Sequence, residues 1–110
     1  MSDLPKPPKA YDDFIARFPK LGEAWECIAE AGEAGPLDAR TIRLLKLAIS
    51  VGAMRQGAIG SSVRKALAMG IPREEIEQVV ALAAGTLGLP STVAVFTWVQ
   101  GAIEKAEKGG

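Results

Sequence analysis

Between Ile76 and Leu87 the apolar residues Ile76, Val79, Val80, Ala83, Ala84 and Leu87 fall at i, i+3, i+4, i+7, i+8 and i+11. A backbone with 3.6 residues per turn gathers such positions on one side, whereas a strand of period two would scatter them over both faces. Strand-type alternation is absent from the whole chain, and no internal repeat stands out. The expected fold class is therefore all-α. A length of 110 residues suits one compact domain with one core.

The same periodicity divides the rest of the chain into about six helices. Tyr11 to Phe18 places Phe14 and Phe18 at i, i+4 and is stopped by Pro19. Leu21 to about Ala34 carries Leu21, Trp25, Ile28 and Ala29 on one face, with Glu23, Glu26, Glu30 and Glu33 elsewhere, and ends at Gly35-Pro36. Asp38 is placed to cap a helix from Ala39 to about Met54, which is apolar on nearly every side and so reads as central. A further helix runs from about Ala58 to Met69 and is closed by Gly70. Pro72 opens the helix that carries the stripe, with Glu74 and Glu75 suited to its N-terminal dipole, and Gly88-Leu89-Pro90 ends it. The last helix, about Ser91 to Lys105, is apolar over most of its circumference. One small domain cannot cover every side of two such helices, so burial in a homo-oligomer is expected.

Residues 1–10 are proline-rich with little apolar surface, and are expected to form a flexible arm preceding a single helical domain over 11–108. Thirteen basic and thirteen acidic side chains cancel, which removes the net field that draws a protein onto nucleic acid or an anionic membrane. No run reaches the roughly 18 apolar residues of a membrane span, and the N-terminus lacks a signal-peptide pattern. A cytoplasmic location is expected. With no histidine and one cysteine, Cys27, no metal constellation, cofactor site or intrachain disulfide is expected. Cys27 reads as a buried small hydrophobe, and Trp25, Phe96 and Trp98 as core or interface.

The order of signals from Leu37 to Val99 resembles the carboxymuconolactone decarboxylase family, which includes the alkylhydroperoxidase AhpD-like proteins. The resemblance rests on Leu37-Asp38, the run Val63-Arg64-Lys65-Ala66-Leu67 followed by Gly70, the start Glu74-Glu75-Ile76, and Gly88-Leu89-Pro90. It implies an AhpD-like helical domain that assembles as dimers, trimers or hexamers, with an active site between packed helices near a subunit interface. Peroxidase members carry CxxC with a histidine four residues later; the matching positions here are Arg55, Ala58 and Ser62. Decarboxylase members keep the histidine at the Ser62 position. A family carboxylate one helix upstream falls near Arg43. Thiol peroxidation needs an activated thiolate and a resolving thiol, and this segment supplies neither.

What remains is a polar line, Arg43, Lys46 and Ser50, on an otherwise apolar helix, with Arg55 beyond it. These cations are candidates to bind a carboxylated lactone or another small organic acid. Alternatively Arg43 and Lys46 are solvated, or pair with Glu26, Glu30 or Glu33. Ser62 and Lys65, at i and i+3, are the candidate catalytic pair, with Lys65 as base; close helix packing is the other role open to Ser62. Three functions follow from the resemblance and its departures: a decarboxylase-like lyase without a redox pair, a non-catalytic homo-oligomeric ligand-binding or assembly protein, and, least supported by the residues, a thiol peroxidase.

Overall fold

A computed structural model describes residues 9–109. The proline-rich arm falls almost wholly on residues 1–8, which lie outside the described residues. Among those described there are six longer helices, one single helical turn and no strand: α1 (Lys9–Arg17), α2 (Pro19–Glu33), α3 (Ala39–Gly52), α4 (Gln56–Ala68), α5 (Arg73–Leu82), α6 (Ala84–Leu87) and α7 (Leu89–Gly109).

The core lies where α3, α4, α5 and α7 meet. Leu47 and Val51 of α3, Ile59 and Val63 of α4, Ile76 and Val80 of α5, and Val95, Val99 and Ile103 of α7 are all buried. Each such side chain stabilises the fold by roughly 1.5–3 kcal/mol through loss of water-exposed apolar surface. The core residues of α7 recur at i, i+4 and i+8, with Trp98 and Ala102 partly buried beside them, while Leu89, Val93 and Phe96 remain exposed. Between α5 and α7 a polar clasp supplements the core. Arg73 donates to Gln100 Oε1 at 2.7 Å, and Gln100 donates from Nε2 to Glu77 Oε2 at 2.6 Å.

The helix ends follow local chemistry. Asp38 caps α3 as expected, its Oδ1 accepting the Thr41 N–H at 2.7 Å. After α4, Gly70 takes φ +84°, its N–H donates to Leu67 O, and the Ile71 N–H donates to Ala66 O. This pair of bonds satisfies carbonyls left open at the helix end and needs a left-handed residue at its centre. The turn between α3 and α4 is built the same way. Met54 N–H donates to Val51 O and Arg55 N–H to Ser50 O, but the left-handed position, φ +53°, is held by Met54 itself.

Three expectations are corrected. The stripe from Ile76 to Leu87 is not one helix: α5 ends at Leu82, Ala83 caps it, and α6 packs separately against α7. Neither glycine nor proline marks that break. Pro90 does not precede the last helix but sits in the first turn of α7, where a missing N–H costs nothing. Cys27 is exposed, because α2 buries only Gly22 and packs chiefly on α1. The two helices approach closely at Gly22, where a Cβ would meet Ile15 Cγ2 at 2.6 Å. Trp25, Ile28, Phe14 and Phe18 all remain exposed on this pair.

Candidate functional site

The three-residue connection from Ala53 to Arg55 makes α3 and α4 a helical hairpin whose helices pack on each other. In such a hairpin, residues equally distant from the turn lie at the same level. Arg43 and Lys65 are each eleven residues from Met54, and Lys46 and Ser62 each eight. Arg43 and Lys46 of α3 lie near enough to Lys65 of α4 to act on its charge, which brings together three of the five candidate site residues.

The electrostatics agree with that placement. Partial burial pushes the Lys65 ammonium below the ordinary lysine range, and Arg43, Lys46 and Arg64 push it further in the same direction. Glu33, at the end of α2, is the carboxylate that opposes them. Arg43 is likewise lowered by burial first, with Glu33 acting against it. Neither Arg43 nor Lys65 forms a salt bridge among the described residues. Arg43 Nε is fully buried and has no hydrogen-bond partner. An orphaned donor on a charged group is costly, and an anion reaching it would remove that cost.

The remaining candidates separate. Ser62 is buried between core residues Ile59, Val63 and Ala66, with only 7% of its surface accessible. Ser50 does not continue the polar line; it is buried, and its hydroxyl donates to Leu47 O at 2.8 Å. Arg55 is exposed at the start of α4, about 15 Å along the helix from Lys65, ten residues at 1.5 Å each. It belongs to the turn, not to the cation cluster. Sequence reasoning missed Arg64 as a member. The mirrored numbering about the turn, which pairs Arg43 with Lys65, was the signal available for the cluster as a whole.

On another side of α3 lies an apolar cavity of about 490 Å³ between α3, α5 and α6, lined among others by Leu44, Leu45, Ala48, Val79 and Leu82. Glu75 stands on its wall and accepts a hydrogen bond from Arg40 Nη2, joining α5 to α3. No candidate site residue lines it.

The sequence model of the carboxymuconolactone decarboxylase family matches residues 19–101, from the start of α2 into α7. The chain belongs to this family. No curated protein and no solved structure matches it. Arg55 lies in the turn before α4, and on α4 Ala58 is exposed and Ser62 buried. The single thiol, Cys27, is on α2. No helix among the described residues is long and apolar enough to cross a membrane.

Proposed function

We propose that this family member binds a small organic acid, such as a carboxylated lactone, at the α3–α4 cation cluster, and acts on it as a decarboxylase-like lyase without redox chemistry. Arg43 and Lys46 hold the carboxylate, Lys65 serves the reacting end, and Ser62 lines the site from below. The observation that carries this reading is the buried, unpartnered Nε of Arg43 within a group of four cations faced by one carboxylate, in a chain whose total charge is zero. Charge-assisted bonds to an incoming carboxylate are among the strongest a site of this kind can make. Arg55 is assigned a supporting place at the turn.

Thermal-shift measurements against small di- and tricarboxylates test the reading directly. At least one of them is expected to raise the Tm of the wild type, with Arg43→Ala abolishing the response. If no carboxylate stabilises the protein, or if Arg43→Ala responds as the wild type does, the anion site is wrong.

The second reading is a non-catalytic, homo-oligomeric binding or assembly protein. It is favoured by the large apolar residues left exposed on α2, α3 and α7, including Trp25, Ile49 and Phe96. Ligand stabilisation without turnover would select it. A thiol peroxidase would have to work through Cys27 alone, so dithiol-dependent peroxide consumption is expected to be absent. Turnover lost in Cys27→Ser would reverse that.

A further inference from the structure

Two apolar surfaces of this chain are left open, and they match in length. One is the cleft of about 490 Å³ between α3, α5 and α6. Glu75 marks one end, where Arg40 joins the starts of α3 and α5, and Gly52 marks the other, where α3 stops. Leu44 and Gly52 on its wall are eight residues apart, about 12 Å along the helix. The other surface is a stripe on α2. Leu21, Trp25 and Ile28 fall at i, i+4 and i+7, are all exposed, and span about 10 Å. An amphipathic helix seats its anchors in an apolar groove by this spacing. Ala24 and Ala31 border the stripe, and their small side chains leave room for close approach.

Resting on the homo-oligomer of the second reading above, we propose that α2 of one copy lies in the α3–α5–α6 cleft of a second copy, with Leu21, Trp25 and Ile28 as its anchors. In a two-fold pair the contact is made twice, each copy giving one helix and receiving one. The build of the monomer leaves α2 available. The α1–α2 pair buries only Gly22 and packs chiefly on itself. The Cα radius of gyration is 14.7 Å, against about 13 Å for a compact chain of this length, as a pair of helices standing off the core makes it.

Charge sets the direction of the helix. Lys20, at the start of the stripe, is exposed and forms no salt bridge among the described residues. Glu75 stands on the cleft wall, with the exposed Glu74 next to it at the start of α5. Laid parallel to α3 of the second copy, α2 brings Lys20 to these carboxylates and its acidic half, Glu26 and Glu30, toward Arg55 beyond Gly52. The reverse direction sets like charge against like at both ends. Only a second copy can supply the parallel helix. Within one chain, Ile28 level with Gly52 would put Glu33 about 27 Å from Ala39, whereas the six residue steps between them span at most about 22 Å. The end of α2 is moreover held at the α3–α4 hairpin, where Glu33 acts on Arg43 and Lys65.

Complementation between two broken copies tests the contact. By sedimentation or light scattering the wild type is expected to assemble. Trp25→Glu charges the helix and Leu82→Glu the cleft, so each alone is expected to be monomeric with unchanged circular dichroism. Mixed one to one, the two should associate again, because the intact α2 of the Leu82→Glu copy meets the intact cleft of the Trp25→Glu copy. That recovery also shows that both variants are folded. In Trp98→Phe the only tryptophan left is Trp25, and its emission should shift to the red on dilution to monomer. Lys20→Glu should weaken association about two- to fivefold, the worth of an exposed ion pair. Assembly that survives Trp25→Glu, no recovery on mixing, or Trp25 emission that ignores assembly would overturn the contact and leave the homo-oligomer standing. Unchanged or tighter association of Lys20→Glu would overturn the direction of α2. A wild type that stays monomeric would remove the homo-oligomer and the contact together.

Discussion

At single residues, the candidate site is held at a cost to stability. Because burial and three neighbouring cations lower the Lys65 pKa in the folded state, the unfolded chain binds the proton more tightly. Stability should therefore rise as the pH climbs through the lowered folded value toward the ordinary lysine value. Lys65→Met removes the unfavourable charge and keeps the length of the side chain. It is expected to stabilise the neutral-pH protein by about 0.5 kcal/mol or less, since solvent screens a half-exposed group. That gain should shrink at alkaline pH; a destabilised variant in thermal melts would contradict this account. Asp38 has the opposite sign. Its carboxylate accepts the Thr41 backbone N–H, which holds its pKa below the ordinary carboxylate range, so the cap contributes fully above that range and fades as the pH falls through the lowered value. Asp38→Asn can still cap but cannot titrate. Melting curves should show a shallower loss of Tm in acid for the variant than for the wild type; parallel curves would show that the cap carries no pH dependence.

Helices were legible in the sequence wherever a local rule fixed them. Asp38 capped α3 and Gly70 closed α4 because each position depends on bonds within a few residues. Two features resisted because their causes are distant in sequence. The break at Ala83 answers to packing of α6 on α7, and alanine, a good helix former, gives no local sign of it. The exposure of Cys27 and Trp25 reflects α2 pairing with α1 instead of covering the core, which an amphipathic pattern alone cannot distinguish. The candidate site divides in the same manner. Arg43, Lys46 and Lys65 are candidates by their chemistry alone, whereas Ser50 turns to its own backbone and Arg55 stays at the turn. The α1–α2 pair also has its own point of failure. An added Cβ at Gly22 would overlap Ile15 Cγ2, so Gly22→Ala must push the helices apart. Since the pair packs only slightly on the remainder, faster amide exchange and proteolysis are expected in residues 9–33, with exchange in α4 and α7 unchanged. Uniform acceleration across all helices would mean that the pair is integral to the core.

For the whole molecule, the distribution of apolar surface matters more than its amount. The buried core occupies one stripe on each of α3, α4, α5 and α7, yet Leu45 and Ile49 on α3 and Leu82 on α5 are 46%, 70% and 74% exposed. Leu45 and Leu82 both line the apolar cavity between these helices, so these two exposed residues and the cavity form one region. Monomeric proteins seldom leave a region of this kind open to water, and a second copy of the chain offers matching apolar faces. The expectation is a homo-oligomer in which this region is covered. Leu82→Glu places a charge on it without touching the buried residues Ile76 and Val80 of the same helix. Sedimentation or light scattering should find the wild type assembled and the variant shifted to monomer, while circular dichroism finds the same helix content in both. The result bears on the site as well. If assembly and carboxylate stabilisation are lost together, the cation cluster depends on a neighbouring copy for its shape. If the variant is monomeric and still stabilised by the same acid, the α3–α4 hairpin is sufficient by itself. A wild type that is monomeric across the accessible concentrations would remove the oligomer, and the exposed apolar residues would then need a partner of a different kind.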